Sequence, residues 1–376
     1  MYFLNGDRLY INPGRRCGNV DEQINSCLSQ LGQINSGKKI FKLNFFVDAE
    51  SDDIYNEMKA DIEAKVARQF SSEVIMNLIA QPPLTCKIIV EAFLYDPSEW
   101  NTKSIIKGEN SAILFQKENT DILIGNVQSD QKSGYRKDAE NTFSALSEML
   151  EEVKFPVNSI VRQWNYLEDI IGFDGDKQKY QEFNNVRSEF YNDHFEAKGY
   201  PAATGIGTNR GGIIIEFVAV KSSEAITTPV DNPEQIAAHN YSEKVLVGEE
   251  CVLKTTPKFE RARYLELFNK KMIFISGTAS ITGEKTIGVD DPALQTEITI
   301  QNIQRLYSGD VLKSLSDNKL QPKYGHARVY VKNRKDFAAI KSTFKKHFGN
   351  LPVVYIIADI CRPDLLVEIE GKVILE

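Results

Sequence analysis

Residues 364–371, DLLVEIEG, set two acidic side chains inside an apolar strand pattern. Strand alternation places Leu365, Val367 and Ile369 on one face and Leu366, Glu368 and Glu370 on the other. Taken alone, the pattern leaves two readings open: a half-buried strand with its carboxylates in water, or a carboxylate kept for chemistry. Metal chemistry has little support, because His194, His239, His326 and His347 are far apart and form no HxH or HExxH pair. Five cysteines (Cys17, Cys27, Cys86, Cys251, Cys361) make an odd set without CxxC spacing, which suggests neither a disulfide framework nor a thiolate zinc site. The glycine-rich ATGIGTNRGG, residues 203–212, is not read as a phosphate loop. Such loops open a helix, whereas this one runs into the strand-like IIIEFVAV, so its glycines serve a tight turn or close packing.

The elements that would position Glu368 recur along the chain. A helix-like INSCLSQL, an alternating KKIFKLNFFVD, the amphipathic IYNEMKADIEAKVARQF, QPPL and the strand CKIIVEAFLY follow one another near the start. The last hundred or so residues repeat the order with ITIQNIQRLY, HARVYVKN, DFAAIKSTFKKHF and VVYIIADICRPDLLVEIEG. Asn25 to Glu91 spans the same 66 residues as Asn302 to Glu368, whereas the middle third, from Asn141 to Glu216, has grown to 75. Each third reads as α+β alternation, with helices on one face of a mostly antiparallel sheet. The divisions expected are 1–100, 101–225 and 226–376, the last carrying Glu368.

Bulk properties narrow the function. With 376 residues, 42% of them hydrophobic, the chain can build a sizeable core in two or three domains. No apolar run approaches the roughly 20 residues of a membrane span, and the opening MYFLNGDRLYINPGRR lacks the order of a secretory signal. A cytoplasmic location is expected. A net charge of −7 argues against nonspecific nucleic-acid binding, and KKHF and KNRK read as solvated helix and turn positions.

The glutamate late in each final strand, written VEAF, IEF and VEIEG, with QPPL before the first, resembles the RidA/YjgF family. Members of that family associate as trimers with ligand sites between subunits. Three fused copies imply an intramolecular pseudo-trimer, free to keep a single working cleft. The strings IADICRPDLLVEIEG, RARYLELF, ISGTASITG, RQWNYLEDI and PAATGIG together resemble chorismatases. That resemblance implies an enzyme that removes the pyruvyl group of chorismate without metal or organic cofactor.

By the same resemblance Glu368 is the catalytic acid, delivering a proton to the enolpyruvyl methylene carbon of chorismate. A carboxyl of ordinary pKa, near 4.3, holds too little of its proton at neutral pH, so the mechanism demands a buried Glu368. The substrate is a dianion, and the residues matched to its binding are Arg263, Arg162 and Tyr241, with Arg328 beside them. Each arginine, taken alone, is equally a surface ion-pair partner. Cys361 sits where the family lines the pocket and steers the product, Thr278 lies in a segment turning at the cleft, and Lys254 stands in for a family arginine that this chain lacks.

Departures accompany the match. Glu284 and Gly288 occupy places where the family has histidines, and Val353 stands where the simpler deaminases have an arginine. The expected products are pyruvate and a hydroxybenzoate, the 3-hydroxy isomer favoured, or a dihydroxycyclohexadiene carboxylate. The alternative is a non-catalytic small-metabolite-binding or regulatory protein. A monomeric pseudo-trimer or a weak homo-oligomer fits either, with no nucleic acid or membrane as partner.

Overall fold

The computed structural model describes residues 4, 6–34, 37–70, 73–129, 133–242, 255–316 and 319–376. The first unit contains β1 (Arg8–Ile11), α1 (Val20–Gly32), β2 (Lys39–Val47), α2 (Asp52–Gln69), β3 (Ile75–Ile79) and β4 (Ile88–Tyr95), its sheet ordered β1-β4-β2-β3. Its helices start where side chains can accept from free backbone amides. Asn19 and Glu22 form a capping box at α1, and Ser51 caps α2 with Asp52 and Asp53 in the first turn.

The second unit comprises β5 (Asn101–Lys107), β6 (Asn110–Lys117), β7 (Thr120–Ser129), α3 (Tyr135–Glu152) and β8 (Ile160–Glu168). It continues with the ribbon of β9 (Phe173–Asp174) and β10 (Lys177–Gln178), then α4 (Lys179–Tyr191), β11 (Ala202–Thr208) and β12 (Ile213–Ser222). The sheet order is β11-β8-β12-β7-β6-β5. The third unit opens with β13 (Ile226–Val230), β14 (Ala262–Leu267), β15 (Lys270–Ala279) and the ribbon of β16 (Ile281–Thr282) and β17 (Lys285–Thr286). Then come α5 (Pro292–Arg305), α6 (Gly309–Leu315), β18 (Pro322–Val331), α7 (Phe337–Phe348), β19 (Val353–Ile357) and β20 (Val367–Leu375), with sheet order β13-β14-β15-β20-β18-β19.

In each unit one helix joins a parallel strand pair: β2 to β3, β8 to β11, β18 to β19. A parallel pair cannot be closed by a tight turn and needs such a crossover. Each sheet buries one face under its own helices, giving three separate apolar clusters. The opposite faces meet in a fourth cluster shared by all three, with Phe46, Trp164, Tyr166 and Tyr330 among its members. The α+β pseudo-trimer expected from the repeats is what the chain forms. The glycine-rich stretch is a strand followed by a turn, with Gly211 at φ 102° and Gly212 at φ 65°, a region that favours glycine.

The repeat register differs from the equal 66-residue spacing. Glu91 on β4 lies opposite Asn44, Glu216 on β12 opposite Trp164, and Glu370 on β20 opposite Arg328. The counterpart of Glu91 is therefore Glu370, and Ile89 and Ile214 occupy the place of Glu368. The link from α5 to β18 is lengthened by α6 while the link from β18 to β19 is shorter, and the two changes nearly cancel in the residue count.

Candidate active site

Where the sheets converge, each unit's carboxylate reaches into the next unit. Glu216 pairs with Lys42 and accepts from Asn44 Nδ2 at 3.2 Å. Glu370 pairs with Arg162 Nη2 at 2.5 Å and accepts from Trp164 Nε1 at 2.9 Å. Glu91 pairs with Arg328 Nη2 at 2.5 Å and with Arg8. All of these side chains are buried except Arg8, which is partly so. In such a setting a carboxylate survives only when paired. The flanking arginines hold Glu91 down at about 2 and keep Glu370 below the ordinary carboxylate range, despite the burial that opposes them.

Two residues before Glu370, on the same strand face, the buried Glu368 has no such partner among the described residues. It lies opposite Ala279 on β15 and Tyr330 on β18. The backbone of Gly277 runs directly against its carboxyl, and a Cβ there would overlap it. Burial raises Glu368 to about 8, the neighbouring charge of Glu370 pushes the same way, and Arg162 and Arg261 pull only partly back. At neutral pH Glu368 is a neutral acid with a proton to give.

A cleft between the second and third units opens onto that carboxyl. Tyr180 and Asn184 of α4 and Gly205 of β11 form one wall. Tyr241, Arg261, Cys361, Arg362 and Glu368 form the other. Arg261 Nη2 donates to Tyr241 Oη at 2.5 Å and to Ile236 O at 2.7 Å, and Arg362 Nη1 donates to Glu284 O at 2.7 Å. Both guanidinium carbons lie over the Tyr241 ring, at 5.4 and 5.3 Å. Among the described residues neither arginine pairs with a carboxylate, so the cleft holds two cations and a protonated acid. That field suits an anionic ligand. Burial pushes the Cys361 thiol up to about 12, so it is an uncharged wall and not a thiolate.

The other two mouths differ. Between the first and second units the lining includes Asp52, Tyr55, Tyr135, Glu168 and Ile213, and the register place of the acid on β12 is held by Ile214, opposite Tyr166 as Glu368 is opposite Tyr330. Between the third and first, residues 82–84 fill the space: Pro83 bridges Ile356, Ile357 N donates to Pro82 O at 2.8 Å, and Leu84 joins the third unit's core.

Of the expected site residues, the structure brings Glu368, Tyr241 and Cys361 together in the cleft and places Arg263, Arg162, Arg328 and Thr278 elsewhere. Arg263 does not line it: its guanidinium donates to Lys198 O, Gly199 O, Tyr200 O and Thr227 Oγ1 and clamps the chain entering β11. Arg261, two residues earlier on the same face, stands in its place. Arg162 and Arg328 are spent on Glu370 and Glu91 at the unit junction, and Arg162 reaches the cleft only through its field. Thr278 turns from the cleft and donates to Ser276 O at 2.9 Å, leaving Gly277 and Ala279 as the lining. Lys254 lies outside the described residues. Glu284 binds the Ser242 amide and hydroxyl, at 3.0 and 2.7 Å, anchoring the segment that carries Tyr241. Sequence reading passed over Arg261, Arg362, Tyr180 and Asn184. Arg362 follows Cys361 directly, and Tyr180 and Asn184 share helical spacing, so the signal for these was present.

A family model described as chorismatase FkbO/Hyg5-like, N-terminal, matches residues 99–219. The 3-hydroxybenzoate synthase of Streptomyces hygroscopicus is 31% identical over 251 residues, covering 64% of this chain and 70% of that protein. The chain belongs to the chorismatase family. A chorismatase of Streptomyces rapamycinicus is 29% identical over 267 residues, 67% of this chain and 75% of its own. In fold, the chain is similar to a crystal structure of a chorismatase with a TM-score of 0.72, at 20% identity, over 98% of both chains. Among the described residues no helix is long and apolar enough to cross a membrane, and no group of three or more His, Cys, Asp or Glu is placed to hold a metal ion.

Proposed function

We propose that this chain is a chorismatase that cleaves the enolpyruvyl ether of chorismate with Glu368 as general acid. The observation that carries the reading is the Glu368 carboxyl, raised to about 8 by burial and, among the described residues, unpaired, beside two arginines that there have no carboxylate partner, all in one cleft. Glu368 gives its proton to the methylene carbon, whose π electrons form the new C–H bond. The adjacent carbon becomes an oxocarbenium centre, stabilised by the ether oxygen and faced by the now anionic Glu368. Water adds there and returns a proton to Glu368, and collapse of the hemiketal breaks the ether bond to give pyruvate and the ring diol. Attack by the ring's own hydroxyl instead leads towards 3-hydroxybenzoate, the product favoured here because the relative of that name is among the matches and Cys361 faces the acid. Such acid catalysis is worth roughly 10²–10⁴ in rate.

Arg261 and Arg362 take the substrate carboxylates, with Tyr241 held between them. The divisions 1–100, 101–225 and 226–376 belong to the same proposal, supported by the three large sheets each falling inside one of them. So do a cytoplasmic location and action as a monomeric pseudo-trimer. The test incubates purified protein with chorismate and couples released pyruvate to lactate dehydrogenase, with Glu368→Gln alongside. Pyruvate from the wild type and none from the variant is the expected result. No pyruvate from the wild type overturns the proposal.

A further inference from the structure

Helix α4 carries a second constellation that the acid on β20 does not use. Tyr180, Asn184 and Arg187 follow one another at i, i+4 and i+7 and so share a helix face. Tyr180 and Asn184 line the cleft, and Arg187 lies behind Asn184, only 1% exposed. A buried arginine is ordinarily tied to a carboxylate. Among the described residues Arg187 has none: its Nε lacks any partner, and its Nη2 donates to Asn184 Oδ1 at 2.6 Å.

That bond decides which way the Asn184 amide faces. With Oδ1 held by the guanidinium, the Nδ2 end is the one left to face Tyr180, one turn earlier on the same helix face, and Asn184 lowers the Tyr180 hydroxyl as a donor beside it would. With the amide donor on that side, the Tyr180 proton is directed away from Asn184 and towards the cleft that Tyr180 lines. The ring lies against Gly205, where a Cβ would come within 3.2 Å of Tyr180 Cε2, so the tyrosine is set between helix and strand. Burial pushes the Tyr180 hydroxyl above its ordinary value, with Cys361 and Glu368 adding to the effect, so it remains protonated.

We infer that Tyr180 donates a hydrogen bond to an oxygen of the bound ligand, and that Arg187 is a positioning residue that aims it through Asn184 without touching the ligand. In the reaction proposed above, that oxygen is the ring oxygen released from the ether, where a donor eases rupture of the C–O bond. This last assignment rests on the proposed reaction, whereas the donor role does not.

The test measures binding of benzene-1,3-dicarboxylate, a non-reacting ring dianion, by calorimetry to the wild type, Tyr180→Phe, Arg187→Met and the double variant. Each single change weakens binding about tenfold, the worth of one hydrogen bond. The double variant is no weaker than the poorer single, because both remove the same bond. Arg187→Lys regains part of the loss, since an ammonium can still donate to Asn184 Oδ1. Losses that multiply to about a hundredfold, unchanged binding in Tyr180→Phe, or no binding by the wild type each overturn the inference. Should Arg187→Met not fold, Asn184→Leu cuts the same relay without removing the buried charge and carries the same expectations. If the binding cycle holds while chorismate yields no pyruvate, the proposed reaction falls and the relay stands.

Discussion

Replacing Glu370 by Gln tests the electrostatics of the site most directly, because it removes a charge that faces Glu368 while keeping an acceptor for Thr204, Trp164 and Arg162. Two residues on one strand face are about 6.6 Å apart. At that distance, and with an effective dielectric near 20, two like charges repel by about 2.5 kcal/mol, which equals about 2 pH units. Glu368, raised to about 8 in the intact protein, should then titrate near about 6. The uncompensated Arg162 pulls in the same direction. A general acid works only when protonated, so activity falls as pH rises through this value. At pH 7 the protonated fraction drops from about 90% to about 10%, and pyruvate release should fall about ninefold, yet recover near pH 5. Initial rates between pH 5 and 9, on protein whose near-ultraviolet circular dichroism matches the wild type, give the answer. Stranding Arg162 costs about 3–5 kcal/mol of stability, so the rates are taken well below the melting point. A profile that keeps its midpoint, or a loss equal at every pH, would refute the argument that Glu370 holds the proton on Glu368.

Other changes read other parts of the site. Glu368→Gln should melt with a flatter pH dependence. The wild-type carboxyl has a folded value of about 8, above its unfolded one, so its contribution is complete below about 4.5 and is lost as pH rises through 8, whereas glutamine loses nothing. Melting temperatures at pH 5 and pH 9 check this. Arg261→Met should lower kcat/KM about 10–100-fold by removing a charge-assisted carboxylate contact. Arg263→Met should instead lower the melting temperature and leave KM nearly unchanged, since among the described residues Arg263 donates to backbone carbonyls and Thr227 and not to the cleft. Gly277→Ala should cost about a hundredfold in turnover by displacing the Glu368 carboxyl, with little change in the melting temperature.

The strand and helix order was legible because of the alternation in KKIFKLNFFVD, the short apolar run of CKIIVEAFLY and the period near 3.6 in IYNEMKADIEAKVARQF. Glu368 was legible through the resemblance of the surrounding strings, since the strand pattern alone left a carboxylate in water equally open. The register was not: equal residue counts paired Glu91 with Glu368, and only the hydrogen-bonded partners on β2 and β18 pair it with Glu370. Nor could local pattern separate Arg261 from Arg263. They share a strand face, and what distinguishes them is the chain at 198–200, which claims Arg263 from far away in sequence. The glutamates of VEAF, IEF and VEIEG were visible, but the ion pairs of Glu91, Glu216 and Glu370 were not, because each partner across the junction, such as Lys42 for Glu216, belongs to a different third of the chain.

Residues 82–84 occupy one of the three mouths with backbone bonds to β19. In an assembly of three identical subunits, any such stopper would be copied into every opening, and nothing would be left to admit a reactant. Covalent fusion removes that constraint. One gene can shut one doorway, furnish a second with an acid and leave a third to drift, while the shared charge ring at the centre holds all three to a common geometry.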